Sequence, residues 1–290
     1  MHKIRTVAVL PTLFTLGNLV CGFFAIVVAA RVEKPLTAET PHAPAIGTAN
    51  PIKAYRALDP DEPVHNCMLS GWLIFLAMIF DALDGHLARL AKTTSDFGAQ
   101  LDSLCDVVTF GVAPAFLLVK MCPHFAYEHQ DMVWVIAALF AACAAMRLAR
   151  FNVESDDEDD HLHFTGLPSP AAAAVIASFA ILFYTLRKET NTQWYAPQFD
   201  TAMQYALPFF AVLVAILMVS RVPYPHVVNQ LFSGQHSFAH LAMVTLFLFG
   251  VMLVRGFAVP LISVVFVLQG PIAYLWQEFV QRRPHKEPLF

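Results

Sequence analysis

Apolar residues dominate eight stretches of the chain, about 8–31, 67–92, 98–120, 131–152, 170–187, 202–220, 237–254 and 257–276, with polar or proline-rich connections between them. Each stretch is near the ~20 residues that a helix needs to cross a hydrocarbon core. Inside lipid a single spanning segment must satisfy its own backbone hydrogen bonds, so the pattern predicts eight membrane helices. The first stretch is longer than the about 7–15-residue core of a signal peptide and is expected to remain as the first span. The connection from Val32 to His65, VEKPLTAETPHAPAIGTANPIKAYRALDPDEPVH, is rich in Pro and Ala without a sustained period and reads as an extramembrane loop at 32–66. A second connection, ESDDEDDHLH from Glu154 to His163, reads as a solvated acidic loop, because it lacks the spacing and the glycine of an EF-hand.

Composition agrees. The 290 residues are 57% hydrophobic and 14% charged, far from the ~25% charged of soluble domains. The expected class is an all-α integral membrane protein, a polytopic helical bundle. A net charge of −4 without a Lys/Arg block excludes a nucleic-acid partner. Cys21, Cys67, Cys105, Cys122 and Cys143 show no C-x-x-C spacing and fall mostly in apolar runs, so they read as small buried hydrophobes rather than as a zinc site or a disulfide framework. With both termini inside, ten Lys and Arg lie on the inner face and eight on the outer, a weak bias toward that orientation. The expected location is a bacterial cytoplasmic membrane, with the active site facing the cytoplasm.

Within this apolar frame, the stretch FDALDGHLARLAKTTSDFGAQLDSLCDVVTFG, Phe80 to Gly111, carries five aspartates. An ionised side chain at the bilayer centre costs roughly 2.5–3.5 kcal/mol, so four together approach the ~5–15 kcal/mol stability of a whole domain. One aspartate could simply mark a helix end in water. The spacing argues otherwise. Asp81, Asp84, Gly85 and Ala88 fall at i, i+3, i+4 and i+7 on one helix face, and Gly98, Asp102 and Asp106 recur every fourth residue on the next. Two antiparallel helices joined by LAKTTSDF would point four carboxylates at each other, and unneutralised they would repel. An all-oxygen carboxylate cluster suits Mg²⁺ or Mn²⁺, and two such ions would neutralise it. Small residues allow close approach, and Arg89 supplies a phosphate-pairing fork. Together these describe a divalent-metal pyrophosphate site at the membrane surface.

Written as D-x-x-D-G-x-x-A-R-x8-G-x3-D-x3-D, Asp81 to Asp106 resembles the signature of the CDP-alcohol phosphotransferase family. The resemblance implies a six-helix membrane core that forms a homodimer, and transfer of a phosphatidyl or related group from a CDP-linked lipid to an alcohol with release of CMP. It implies that Asp81, Asp84, Asp102 and Asp106 bind the metals, that Asp106 is also the base on the acceptor hydroxyl, and that Gly85, Arg89 and Ser95 hold the CDP part. The segments PTLFTLGNLVCGFFAI (Pro11–Ile26), MRLARFNV (Met146–Val153) and FTGLPSPAAAA (Phe164–Ala174) are similar to the serine-accepting branch of that family. Residues 188–290 carry no such likeness. The expected organisation is therefore a core at 1–220, with two accessory C-terminal helices and a short tail at 221–290.

The implied reaction is attack of the L-serine hydroxyl on the lipid-side phosphorus of CDP-diacylglycerol, with membrane lipids as surroundings. Arg147 and Arg150, at i and i+3 near the cytoplasmic end of the fourth helix, either clamp serine's carboxylate or anchor the helix by their charge. Ser169 is a helix cap or a ligand. Asn18, deep in the first apolar run, contacts the nucleotide or bonds a neighbouring helix. Glycerol-3-phosphate or inositol phosphate is the alternative acceptor, although either would want a denser basic pocket. An ion-coupled transporter is the alternative from another class; it would be expected to show repeated halves, and no second copy of the Asp-rich segment is present.

Overall fold

The computed structural model describes residues 9–32, 63–91, 96–122, 125, 129–155, 166–189, 196–222, 224 and 257–279. Every regular element among them is helical: α1 (Val9–Ala30), α2 (Pro63–Ala91), α3 (Asp96–Asp106), a π-helical turn (Val107–Val112), α4 (Ala113–Met121), α5 (Gln130–Ser155), α6 (Ser169–Glu189), α7 (Ala196–Val219) and α8 (Ala258–Phe279). Because α3, the π turn and α4 form one continuous rod, the described residues make seven rods. Five contain segments long and apolar enough to cross a membrane, Thr12–Ala30, His65–Gly85, Phe97–Met121, Asp131–Val153 and Thr201–Val219, with mean hydropathy from 1.7 to 2.2. The apolar parts of α6 and α8, Ser169–Thr185 and Ala258–Tyr274, are shorter. The helices expected at 170–187 and 257–276 are present as α6 and α8, and the stretch expected at 237–254 lies outside the described residues. The chain is an all-helical polytopic membrane protein.

Among the described residues, α6 is the most enclosed helix. Ala172, Ala173, Val175, Ile176, Ala177 and Ala180 are fully buried, and small side chains let neighbouring helices approach closely where lipid gives no hydrophobic drive. Apolar side chains such as Phe23, Phe24, Trp134, Val135 and Phe209 are exposed, as suits a lipid-facing surface. Ser70 ties α2 to α1 by donating to the Ala25 carbonyl at 2.9 Å.

A single helix over 98–120 was expected where the π turn interrupts the rod. Pro114 supplies the reason. It has no N–H for the Phe110 carbonyl and its ring crowds that turn. The ladder widens instead, and the Ala113 N–H reaches back to the Val108 carbonyl. Three consecutive residues, Thr109, Phe110 and Gly111, are buried in the widened turn.

Successive rods alternate in direction, so one end of the bundle gathers the start of α1, the end of α2, the start of α3, the end of α5, the start of α6 and the end of α7. At the opposite end, Lys120 donates to the Val32 carbonyl at 3.1 Å and lies over the Phe116 ring, 5.5 Å from its centroid. The C-terminal helix α8 is docked by a specific bond: Pro271 cannot donate to the carbonyl four residues back, and the Tyr224 hydroxyl donates to that Val267 carbonyl at 3.0 Å. Burial pushes the Tyr224 hydroxyl up to about 12.

Candidate active site

The end of α2 and the last two turns of α3 bring together three acidic side chains. One carboxylate oxygen from each of Asp81, Asp102 and Asp106 lies within 4.8 Å of the others. Asp106 is only 7% exposed, and its Oδ1 accepts from the Asn18 side-chain amide at 2.9 Å. Asp84, one turn beyond Asp81, is buried and accepts from the Thr15 hydroxyl. Of the four carboxylates expected to face each other, three therefore converge, while the fourth is engaged with α1. The reason is on α1: Thr15 and Asn18, three residues apart and both buried, present a donor to each of the two acidic helices.

The other expected site residues fall in different places. Gly85 is exposed, and a side chain there would meet no atom within 4 Å. Ser95 and the side chain of Arg89 lie outside the described residues. Arg147 and Arg150 diverge. Arg147 donates through Nη1 to the Ser169 Oγ at 3.1 Å, while its buried Nε has no hydrogen-bond partner and its charge interacts with Asp106. Arg150 donates through Nη1 to the Val219 carbonyl at 2.8 Å, where a cation complements the C-terminal end of α7.

The backbone ahead of Ser169 is pinned to the same helix end. The Gly166 N–H donates to the Val222 carbonyl at 2.9 Å and the Leu167 N–H to the Leu217 carbonyl at 3.0 Å. Gly166 adopts φ +90°, and a Cβ there would lie 2.7 Å from the Met218 carbonyl oxygen and 2.8 Å from that of Ser220. Glycine is required on both counts. From this seam the chain enters α6 at Ser169, which is 1% exposed.

Sequence reasoning missed three contributors. Thr15 and Gly22 share the Asn18 face of α1 at i, i+3 and i+7, a periodic signal that was present in the apolar run. Thr109 follows Asp102 and Asp106 at i, i+4 and i+7, a signal of the same kind, but its burial against α1 depends on the π turn. Beside the acidic residues, Ser103 donates to the Asn152 side-chain carbonyl at 3.1 Å and Asn152 to Gln100 at 3.4 Å, a polar seam between α3 and α5.

The acidic cluster suits a hard cation. Its donors are all carboxylate oxygens, and the buried Asp102 Oδ1 has no hydrogen-bond partner. A divalent ion of the Mg²⁺ or Mn²⁺ type matches that donor set and offsets the like charges.

Known proteins are similar over the same region. The chain is 36% identical over 160 residues to a CDP-diacylglycerol–serine O-phosphatidyltransferase of Methanocaldococcus jannaschii, which covers 55% of this chain and 65% of that protein, a little under two thirds of its length. It is 30% identical over 217 residues to the protein of the same name from Mycobacterium bovis, covering 73% of this chain and 71% of that one. An archaetidylserine synthase of Methanothermobacter thermautotrophicus is 35% identical over 157 residues, 53% of this chain and 57% of that protein. Residues 8–220, which take in α1, the acidic helices and the seam that seats Ser169, match the CDP-alcohol phosphatidyltransferase family, and the chain belongs to it.

Proposed function

We propose that this chain transfers the phosphatidyl group of CDP-diacylglycerol to the hydroxyl of L-serine, giving phosphatidylserine and CMP. The observation that carries this reading is that Asp106 belongs to the acidic cluster and is also a charge partner of Arg147, whose guanidinium is bonded to Ser169. A phosphate-handling site and a cation able to bind a carboxylate thus share one candidate base. The names of the three relatives differ in the lipid and agree on serine, which supports the acceptor.

The serine hydroxyl attacks the lipid-side phosphorus, the bond from that phosphorus to CMP breaks, and the hydroxyl proton passes to Asp106. A serine hydroxyl is a weak nucleophile near neutral pH and needs such a base within hydrogen-bond reach. Asn18 bonds Asp106 Oδ1, which supports a role for it toward the base rather than the nucleotide, and the other oxygen takes the proton. Arg147 holds the serine carboxylate: Ser169 takes one of its N–H groups, and its Nε–H is unspent. Ser169 orients that guanidinium. Arg150 anchors α5 to α7 and does not touch the substrate. Gly85 and Arg89 of the family signature hold the CDP part, with Ser95, which lies between its fixed positions, beside them. Asp81, Asp102 and Asp106 would hold Mg²⁺ or Mn²⁺, with Asp84 sharing a second ion, and such ions supply charge neutralisation for the pyrophosphate and the departing CMP.

The test is purified protein supplied with CDP-diacylglycerol and a panel of alcohols, with CMP release measured. Release is expected with serine, not with glycerol-3-phosphate or inositol phosphate. It should stop with EDTA, return with Mg²⁺ or Mn²⁺, and be absent in Asp106→Asn. Release with glycerol-3-phosphate but not serine would refute the acceptor, and full activity after thorough chelation would refute the metal.

A further inference from the structure

We propose that Thr109 and Gly22 are positioning residues for the reaction, holding Asn18 by its backbone so that its side chain stays bonded to Asp106. The inference rests on the assignment of Asp106 as the base.

Asn18 is fully buried in α1 and reaches Asp106 through a side chain with two rotatable bonds. One hydrogen bond does not fix the helix from which that side chain springs. The second hold comes from the same rod as Asp106. Thr109, three residues beyond Asp106, is fully buried and donates its hydroxyl to the backbone carbonyl of Asn18 at 3.3 Å. Asn18 is therefore gripped twice by one rod, at its amide by Asp106 and at its carbonyl by Thr109. A carbonyl oxygen has two lone pairs, so it can accept from Thr109 and still serve the α1 ladder.

Close approach makes the second grip possible. Gly22 lies one turn beyond Asn18, and a Cβ there would sit 2.8 Å from the Thr109 Cα and 2.9 Å from its Cβ. Only a hydrogen at that position lets the two backbones meet so closely. The π turn completes the device, since it widens the rod immediately after Asp106 and buries Thr109 against α1. Pro114, by withholding an N–H from Phe110, keeps the turn from closing to an ordinary α-helix.

A double-mutant cycle tests this. Thr109→Val keeps the shape and removes the hydroxyl. Losing a hydrogen bond of ~1 kcal/mol should lower kcat about fivefold, with the KM values for both substrates within about twofold. Thr109→Ser, which keeps the donor, should stay near wild type. Asn18→Ala should lower kcat at least as far, and Thr109→Val should add nothing on top of it, because Thr109 acts through Asn18. Thr109→Ala replaces the valine variant if that protein does not fold. If the wild type turns over another alcohol but not serine, the acceptor assignment fails and the cycle is run with that alcohol. A Mn²⁺-dependent thermal shift reads the clamp without turnover, and its midpoint should rise about fivefold in Thr109→Val and hold in Thr109→Ser. Unchanged kcat and unchanged Mn²⁺ midpoint in Thr109→Val, an equal loss in Thr109→Ser, or additive losses in the cycle would overturn the proposal.

Discussion

Arg147 spends one guanidinium hydrogen on Ser169 and keeps a buried Nε–H unpaired, whereas Arg150 spends Nη1 on the end of α7. A buried donor without a partner is costly unless a ligand supplies the acceptor. Arg147→Ala should therefore remove a charge-assisted bond of about 1.5–3 kcal/mol and raise the serine KM roughly tenfold to a hundredfold, with the KM for CDP-diacylglycerol little changed. Lys at 147 should recover only part, because an ammonium lacks the planar fork. Arg150→Ala should leave the serine KM near wild type and lower thermal stability by about 1–2 kcal/mol, through loss of a bond to a helix-end carbonyl. Serine titrations and thermal unfolding of both variants check this, and a large KM effect in Arg150→Ala would reverse the roles. Sequence alone could not separate two arginines three residues apart, since their difference lies in what α6 and α7 bring to them. The acidic positions were legible because carboxylates are expensive in lipid and recur at helical spacing. The engagement of Asp84 with Thr15 was not, because a threonine in an apolar run is unremarkable until its neighbour is known.

Helix limits such as Val9–Ala30 against the expected 8–31 were readable because hydrocarbon thickness sets the length of a span. Irregular backbone was harder to read. Pro114 was visible in the sequence, but whether a proline kinks, ends or widens a helix depends on the helices packed against it. The seam at Gly166–Leu167 is the other irregular element, and it can be tested. Gly166→Ala combines a positive φ with a Cβ close to two carbonyl oxygens. It should cost on the order of 1–3 kcal/mol in thermal stability and raise the serine KM, because the seam places Ser169 against Arg147. Gly166→Asn discriminates the causes. Asn tolerates positive φ better than other residues with a Cβ, so a rescue would mean that backbone conformation alone matters. No rescue is expected, because the Cβ of Asn meets the same carbonyls.

At the scale of the whole molecule, the alternation of rods places every proposed catalytic group at one end of the bundle, the end to which α1 brings Thr15 and Asn18. In the proposed reaction the diacyl chains of the lipid stay in the bilayer while serine arrives dissolved, so this end should face the compartment that holds serine. The ten-to-eight split of Lys and Arg favours the cytoplasm only slightly, and a direct measurement is needed. The five cysteines are all buried, so a membrane-impermeant maleimide should find little to label in the wild type. Phe97 is 74% exposed at the start of α3, beside the acidic cluster, and His129 is exposed at the opposite end, ahead of α5. In cells expressing single-site variants, His129→Cys should react while the membrane is intact, and Phe97→Cys only after permeabilisation. The reverse pattern would put the acidic cluster on the outer face, and cytoplasmic serine could not then reach Asp106 without first crossing the membrane.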